Sequence, residues 1–467
     1  MKNTILILNC CPLGENEIQF WNSFYEKNSN THNFMFFSTN LSDHLKIKTT
    51  IKINYDFNLS DFIHKNKNPV FDLIAKEIAH YENIWGMYDL QSSIDKAYSW
   101  LFFWHFIMRF FLPTGVYVWN GYHIPELALL KTADFYGVKK YYMERGPFGK
   151  TFICDNKGFN YSSSFIENYD LITSKSRIEN ISKFSKVYFQ TGVSNWEQPE
   201  LCKSKKEFIN KYKIPEDKHL IFFPAQIDND ANSKLFSPYF NDVYAAFNNI
   251  IDALDYYSDK IYLIAKSHPK ETAKMKYKKI QSSLGKWIDD CHIFDCLKYS
   301  DAIISINSAS AVEGALLCKP ILILGNSILS PHQHIIRLSK KEGLKKTIDK
   351  IIQLIGKNSE LMDFNFFDKL LFQYLYTAYP DFEHLGIQSV SKIPLPLGAE
   401  VYNNKLIEDV SFPIEFLSLF FNLNYCTNKY KYEISQYKSK MDKIINIIPY
   451  PLRGILKKIF FTSFNIF

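Results

Sequence analysis

The chain lacks any regular spacing of cysteines, although it contains eight of them in 467 residues. No two cysteines form a CxxC pair, the spacing that many zinc sites and redox motifs use. We therefore expect neither a zinc site nor a disulfide scaffold, and we expect reduced thiols in a cytosolic compartment. The cysteines are Cys10, Cys11, Cys154, Cys202, Cys291, Cys296, Cys318 and Cys426.

The chain also lacks a long uninterrupted apolar run. Residues 4–8 are too few for the core of a signal peptide and no small-residue cleavage site follows, so we predict a buried strand there. Residues 97–112 approach the length of a membrane span, but they contain His105 and Arg109 and end at a Pro-Thr-Gly turn. We predict a buried helix that leads into a strand, rather than a membrane span.

The sequence has little excess charge, no internal repeat and no low-complexity tract. Lys and Arg number 55 and Asp and Glu 48, a net charge of +7, without the dense basic clusters of a nucleic-acid-binding protein. A hydrophobic content of 46% and a charged content of 22% are typical of globular proteins and exclude wholesale disorder. The length indicates two to three domains.

Short apolar runs alternate with helical stretches, which is typical of α/β proteins with buried parallel strands. We predict strands at residues 4–8, 116–119, 140–143, 220–223, 261–265, 302–306 and 321–324. A Lys-rich polar stretch, residues 203–217, is the predicted joint between two α/β halves. From about residue 340 onward the periodicity is helical, and we predict no further strand.

Polar residues follow several predicted strands, and the carboxyl ends of strands in an open parallel sheet face the ligand crevice. Asn120 and Gly121 follow the second strand, and Glu144 and Gly146 follow the third. Glu144 is a candidate general acid or base, although a surface turn with an ordinary salt bridge is the alternative.

Two carboxylates and an amide follow the fourth strand and form a candidate reacting centre: Gln226, Asp228 and Asp230. Asp228-Asn229-Asp230 also has the form of a DxD metal motif, but three residues are a weak signal. Lys266 and His268 follow the fifth strand. A histidine at the crevice can donate to a phosphate or a carboxylate, whereas a lone histidine is more often structural.

Residues 300–315 predict a strand, a Ser-rich N-cap and a helix. The free N–H groups at Ser308 and Ser310 can hold a phosphate, and Glu313 can hydrogen-bond a ribose. The alternative is an ordinary capped helix in which Glu313 is merely favourable near the N-terminus.

These segments, in order, resemble a known family. WNG, ERGPFGKTFICDNKGFNYSSS, PAQIDND, KSHP and SDAIISINSASAVEGALLCKPILILG are similar to motifs of the capsule polysaccharide synthesis family of GT-B glycosyltransferases, which includes bacterial Kdo (3-deoxy-manno-octulosonic acid) transferases. The resemblance covers residues 116–326. It implies a GT-B fold of two Rossmann-like domains, an active site in the cleft between them, a CMP-Kdo donor held mostly by the second domain, and retention of configuration.

The resemblance also implies roles for single residues. Glu144 matches the acidic residue of an E-x-G motif, Asp230 the end of Q-x-x-x-D, and His268 the His-Pro histidine, and the two carboxylates are expected to converge from opposite domains. Val312 stands where the family's nucleotide loop usually has glycine. The expected site comprises Asp230, Glu144 and His268 as catalytic residues, Gln226, Lys266, Asn307, Ser308, Ser310 and Glu313 as nucleotide-sugar-binding residues, and Asn120, Gly121 and Gly146 as acceptor or cleft residues, with no metal ion.

We expect residues 1–205 to form an acceptor-side Rossmann-like domain, residues 206–395 a nucleotide-sugar-binding Rossmann-like domain, and residues 396–467 a helical tail. The expected function is transfer of Kdo from CMP-Kdo to a glycan or glycolipid in capsule or lipopolysaccharide synthesis, without nucleic acid as a partner. The alternatives are a GT-B transferase that uses another activated sugar or a polyol phosphate, and a non-catalytic GT-B scaffold subunit of a glycan assembly complex.

The tail carries a separate signal. Residues 451–467 place an apolar face opposite Arg453, Lys457 and Lys458 when drawn as a helix. This pattern suits an anionic membrane surface, and we expect a cytoplasmic protein that lies peripherally on the inner face of the cytoplasmic membrane. A closing helix packed on its own protein is the alternative.

Overall fold

Each of the seven apolar runs predicted as strands forms a strand in the computed structural model, which describes residues 3–10, 12–39, 47, 50–52, 69–82, 84, 86, 88–167, 175–240, 242–271, 281–357 and 360–396. These residues group into two units, an N-terminal unit within Met1–Lys140 and a central unit, Tyr141–Leu395. The predicted domain limits at residues 205/206 and 395/396 stay predictions. Beyond Pro396 the predicted tail lies outside the described residues.

The N-terminal unit is built on four parallel strands. In chain order they are β1 (Asn3–Asn9), β2 (His32–Ser38), β3 (Thr50–Lys52) and β4 (Gly115–Trp119). They pair in the order β3-β2-β1-β4, which is how a Rossmann-type sheet begins. The helices of this unit are α1 (Glu15–Asn28), α2 (Pro69–Glu82), α3 (Leu90–Phe111) and α4 (Ile124–Tyr136).

Helix α3 contains the apolar run that approached the length of a membrane span. It begins after the N-cap Asp89 and ends at Leu112, which has a left-handed φ of 43°. Trp100 and Trp104 are buried with ring centroids 5.9 Å apart, and Trp104 Nε1 donates to the Pro125 carbonyl at 2.8 Å. The prediction of a buried helix is confirmed, and among the described residues no helix is long and apolar enough to cross a membrane.

The central unit contains two sets of paired strands. The first set consists of β5 (Lys139–Arg145), β6 (Phe152–Asp155), β14 (Leu375–Thr377) and β15 (Gln388–Ser389). The pairs β5–β6 and β6–β14 are antiparallel, and β14–β15 is parallel. The prediction of purely helical sequence after residue 340 is therefore wrong, because strands of two and three residues are too short to show an alternating pattern.

The second set forms a sheet that is almost entirely parallel. Its strands are β7 (His219–Pro224), β8 (Ile261–Lys266), β9 (Gln281–Ser282), β10 (Gly285–Trp287), β11 (Ala302–Ser305), β12 (Ile321–Ile323) and β13 (Ile336–Arg337). The order is β13-β12-β11-β7-β8-β10-β9, with only the edge strand β9 antiparallel to its neighbour. Counted along the chain, the six parallel strands follow the Rossmann order 3-2-1-4-5-6. The predicted α/β class with Rossmann-like sheets is confirmed.

Strand β7 lies between β8 and β11 in this sheet. The carboxyl ends of parallel strands meet at one edge, so the segments that follow these three strands are neighbours. They are residues 225–230, 267–269 and 306–310, which carry half of the predicted site residues.

Both faces of β7 are buried. Leu220 and Phe222 belong to a core that includes Phe148 and Tyr188, whereas the alternate side chains of the strand face a second core around Phe247. Phe148 and Tyr188 thus pack on the same sheet as residues that follow them. As a result Glu144 and Asp230, expected on opposite domains, lie in one unit.

The helices of the central unit are α5 (Lys175–Thr191), α6 (Lys205–Tyr212), α7 (Ala231–Phe236), α8 (Val243–Leu254), α9 (Ile293–Tyr299), α10 (Ala309–Leu316), α11 (Leu344–Leu354), α12 (Phe364–Asp368) and α13 (Pro380–His384). Helix α6 lies inside the stretch predicted as a joint. Its Phe208 is fully buried, so this polar stretch packs on the core through one face.

Candidate functional site

Two amide side chains tie the loops that follow β7 and β11. Gln226 Nε2 donates to Asn307 Oδ1 at 2.7 Å, and the Asn307 backbone N–H donates to Gln226 Oε1 at 3.0 Å. Both residues are buried, and Asn307 Nδ2 also donates to the Asn232 carbonyl at 2.9 Å. Gln226 and Asn307 therefore hold the site's loops together, while contact of either with a nucleotide sugar stays a prediction.

Asp228 and Asp230 cap different helices. Asp230 is the N-cap of α7, and its Oδ1 accepts from the Asn232 N–H at 2.7 Å. Asp228 Oδ1 accepts from the N–H of Val243, the first residue of α8, at 2.8 Å. Within the described part of the chain, no group of three or more His, Cys, Asp and Glu side chains is placed to hold a metal ion.

The surroundings of Asp230 change the pKa of its carboxyl. Burial raises the pKa of its carboxyl, and the hydrogen bonds from Asn232 and the positive charge of Arg145 oppose that rise. Asn232 is itself fixed, because its Oδ1 accepts from Asn160 Nδ2. Asn160 has a left-handed φ of 48°, which asparagine tolerates, and its Oδ1 accepts from the Ile328 N–H at 2.7 Å.

Glu144 lies at the end of β5, next to a tight turn. The Gly146 N–H donates to the Thr151 carbonyl at 2.8 Å, and a Cβ on Gly146 would lie 2.1 Å from Thr151 Oγ1. Asn195 Nδ2 donates to the Gly146 carbonyl at 3.0 Å, and Glu144 Oε1 accepts from the Arg145 N–H at 2.8 Å. Gly146, predicted as an acceptor or cleft residue, thus permits the turn beside Glu144.

The ring of Trp196 gathers charged and aromatic groups from separate segments. The Arg145 guanidinium lies 4.6 Å and the Lys270 ammonium 5.5 Å from its centroid. The His268 ring meets it edge to face, with centroids 5.3 Å apart. Because Arg145 also acts on Asp230, the end of β5, the Asp230 carboxyl and the His268 turn are linked through Arg145 and Trp196.

The turn that follows β8 is held by Asp289. Lys266 is buried, and its Nζ donates to the Asp289 carbonyl at 3.1 Å, while the Ser267 N–H donates to Asp289 Oδ1 at 2.9 Å. His268 Nδ1 accepts from the Lys270 N–H at 3.1 Å, so the neutral ring carries its proton on Nε2. The Lys266 ammonium is engaged inside the protein, and its predicted contact with a nucleotide sugar stays a prediction.

Glu313 is buried in α10, with 5% of its surface exposed. It accepts from the Tyr188 hydroxyl at 2.7 Å, and that hydroxyl accepts from the Gly149 N–H at 3.0 Å. Burial raises the pKa of Glu313 to about 7, although hydrogen bonds from Tyr188 and Ser310 oppose the rise. The predicted Ser-rich cap is confirmed, since Ser308 is the N-cap and its hydroxyl accepts from the Ser310 N–H at 3.3 Å.

Asn120 and Gly121 belong to the N-terminal unit, where they form the turn after β4. Both have left-handed φ angles, 64° and 83°. In the described structure Asn120 Oδ1 is buried without a hydrogen-bond partner. Their role as acceptor or cleft residues stays a prediction.

Sequence reasoning gave no role to Arg145, Trp196 or Tyr188. Arg145 lies inside the Glu-Arg-Gly-Pro segment, in which the family resemblance assigns a catalytic role only to the acidic residue. Trp196 stands in an irregular polar stretch, and a large aromatic residue there is a usable signal because it has no helix or strand to pack with. Tyr188 has the spacing of an ordinary core residue of α5, and only the fold places its hydroxyl on Glu313.

Residues 175–332 match a protein family described as capsule polysaccharide biosynthesis protein. Protein FixF of Sinorhizobium fredii is 24% identical over 222 residues, which are 48% of this chain and 51% of that protein. The chain therefore spans about half the length of this curated relative.

Solved structures with a similar fold include two KpsC structures from Thermosulfurimonas dismutans. The beta Kdo 2,4 transferase is 15% identical with a TM-score of 0.44, and the match covers 58% of this chain and 87% of that one. The beta Kdo 2,7 transferase is 13% identical with a TM-score of 0.37, covering 80% and 92%. The S. aureus MnaA-UDP co-structure is 12% identical with a TM-score of 0.37, covering 78% and 92%. Structural similarity of this size carries no argument about function.

The matched segment contains Asp230, His268 and Glu313, three of the residues on which the resemblance was based. The predicted resemblance is confirmed over residues 175–332, where the chain is similar to the capsule polysaccharide biosynthesis proteins.

Proposed function

We propose that this protein is a glycosyltransferase of bacterial surface-polysaccharide synthesis, which moves Kdo from CMP-Kdo to a glycan or glycolipid acceptor with retention of configuration. One observation carries the proposal: the Trp196 ring contacts both Arg145, the neighbour of Glu144, and His268. The positive charge of Arg145 also acts on Asp230. The family match supports the same assignment.

In this proposal the donor nucleotide lies against the N-terminus of α10. Ser308 and Ser310 offer hydroxyl and backbone N–H groups there, and the helix dipole favours a phosphate. His268 donates from Nε2 to the phosphate, and Glu313 accepts from a ribose hydroxyl. The proposal needs no divalent metal, because the helix terminus and the side chains hold the phosphate.

The chemistry consists of two displacements at the anomeric carbon. Asp230 forms a bond to that carbon while the bond to the phosphate oxygen breaks, and CMP leaves with the electron pair. Glu144 then takes the proton of the acceptor hydroxyl, whose oxygen displaces Asp230 from the same carbon. Two inversions restore the starting configuration, and the proton ends on Glu144.

A panel of CMP-, UDP- and GDP-sugars tests the proposal by thermal shift and by donor hydrolysis without acceptor. A ligand at 100 times its dissociation constant stabilises a fold by about 2.7 kcal/mol, enough for a clear shift. We expect the shift and the hydrolysis with CMP-Kdo. A shift with another activated sugar would identify a different transferase, and neither shift nor hydrolysis with any donor would favour a scaffold. Loss of transfer in EDTA with rescue by manganese would contradict the metal-free arrangement.

A further inference from the structure

Trp196 lies in the loop after α5 and is half-buried. Two cations and a histidine ring surround its indole ring. Two cations, Arg145 and Lys270, lie within 5.5 Å of its centroid. The His268 ring stands at 79° to it, edge to face. One aromatic ring therefore contacts both the end of β5 and the turn after β8, which are more than a hundred residues apart in the sequence.

The loop that carries Trp196 is fixed against the segment that carries Glu144. Asn195 Nδ2 donates to the Gly146 carbonyl at 3.0 Å. At Gly149 the backbones approach so closely that an added Cβ would lie 2.6 Å from the Val193 carbonyl oxygen. These contacts hold the loop on either side of its attachment close to the segment that follows β5.

A cation on an aromatic face gains free energy of the same order as the entropy lost when one long side chain is ordered. The Trp196 ring can therefore confine the Arg145 side chain, with a small net gain in the stability of the fold. Arg145 is the residue that matters here, because its charge acts on Asp230 and its backbone N–H binds Glu144 Oε1.

We propose that Trp196 is a positioning residue for the transfer reaction, which holds the Arg145 guanidinium toward Asp230. Trp196 itself touches neither donor nor acceptor. This inference rests on the proposed function, since it assigns the Trp196 ring a part in the same site.

The test compares Trp196→Leu, which keeps an apolar side chain without an aromatic face, with Trp196→Phe, which keeps an aromatic face. We expect Trp196→Leu to lower kcat at least tenfold with less than a threefold change in donor KM, and Trp196→Phe to recover most of kcat. Tyr256→Leu is the matched control, because Tyr256 is exposed and carries Lys345 on its ring, 5.3 Å from the centroid, away from the site. The control should keep the wild-type kcat.

A double-mutant cycle tests whether Trp196 acts through Arg145. Arg145→Gln should lower kcat about as much as Trp196→Leu, and the double variant should be no slower than Arg145→Gln alone. Multiplied losses, an effect of Trp196→Leu confined to donor KM, or an unchanged kcat would each overturn the inference.

The same cycle, and a second one that combines Arg145→Gln with Asp230→Asn, can also be measured by urea unfolding, which needs no activity. Coupling between Trp196 and Arg145, and between Arg145 and Asp230, should shift the unfolding midpoint non-additively, and additive shifts would overturn the inference. If the cycles show this coupling but the wild-type protein transfers no sugar from any donor, the proposed function would be contradicted instead.

Discussion

At the residue scale, Asp228 and Asp230 are two positions apart in the segment Pro-Ala-Gln-Ile-Asp-Asn-Asp but make different contacts. Asp228 accepts from the first N–H of α8, whereas Asp230 caps α7 and also feels the charge of Arg145. Residue type alone offers both as candidates, and the family resemblance favours Asp230. The structure adds that their surroundings differ.

Asp230→Asn should abolish transfer and leave nucleotide affinity nearly unchanged. Asparagine is as good an N-cap as aspartate, so the start of α7 is kept while the nucleophilic carboxylate is lost. Asp228→Asn is the matched control and should keep most of the turnover. Near-normal turnover of Asp230→Asn together with an inactive Asp228→Asn would show that the nucleophile has been assigned to the wrong aspartate.

Glu313→Ala should weaken nucleotide binding by roughly 10- to 100-fold, because a hydrogen bond to a charged group contributes about 1.5–3 kcal/mol. Tyr188→Phe removes the internal donor to Glu313 but keeps the carboxylate, so it should lower the melting temperature more than the affinity. Isothermal titration with CMP measures the affinity of both variants, and thermal unfolding measures their melting temperatures. Unchanged affinity in a folded Glu313→Ala protein would contradict the ribose contact.

Glu126 in the N-terminal unit predicts a pH dependence of stability. Burial raises the pKa of this fully buried carboxyl from 4.5 to about 8, and the nearby Glu82 adds to the rise. The folded state therefore holds the proton more tightly than the unfolded chain, so this stability is full below about pH 4.5 and is lost as the pH rises through about 8.

Glu126→Gln should remove most of that loss, because the amide oxygen can still accept from the His123 N–H that now donates to Glu126 at 3.1 Å. The melting temperature of the variant should exceed that of the wild type near pH 9 and approach it near pH 5. Melting curves with the same pH dependence for both proteins would refute this reading of Glu126.

At the scale of elements, the strands of the central sheet were predictable because both of their faces are buried, which leaves near-continuous apolar runs. The short strands β14 and β15 were not, since pairing with neighbours distant in the sequence defines them. The same limit applies to the site. Strand-end positions such as Asp230 follow from the order of elements. The contact of Arg145 with Trp196 depends on how the end of β5 packs against the loop after α5.

The turn after β5 gives a prediction of this kind. Gly146→Ala would place a methyl group 2.1 Å from Thr151 Oγ1, and we expect it to destabilise the fold by about 1–3 kcal/mol and to lower turnover by shifting Glu144. Gly343→Ala is the control, because no atom lies within 4 Å of its added Cβ. Chemical unfolding and transfer rates measure both variants, and equal stability of the two would argue against a strained turn.

At the scale of the whole molecule, membrane association is the open prediction, and it falls on residues 451–467, which lie outside the described residues. Deleting them should leave turnover on a soluble acceptor intact and lower binding to anionic liposomes, because each basic residue near such a surface contributes about 1 kcal/mol. Co-sedimentation with vesicles measures the effect. Equal sedimentation of both proteins would exclude the anchor, and aggregation of the shortened protein would favour a closing helix.

The grouping of Glu144, Asp230 and His268 in the central unit also affects how such a protein can diversify. Helix α4 ends at Gly137, whose left-handed φ of 67° stops the helix just before β5. A gene fusion with its junction there would replace the N-terminal unit and keep the whole proposed catalytic set. If the acceptor-side role expected for residues 1–205 belongs to that unit, then under the proposed function one recombination event would change the acceptor while the catalytic residues stay the same.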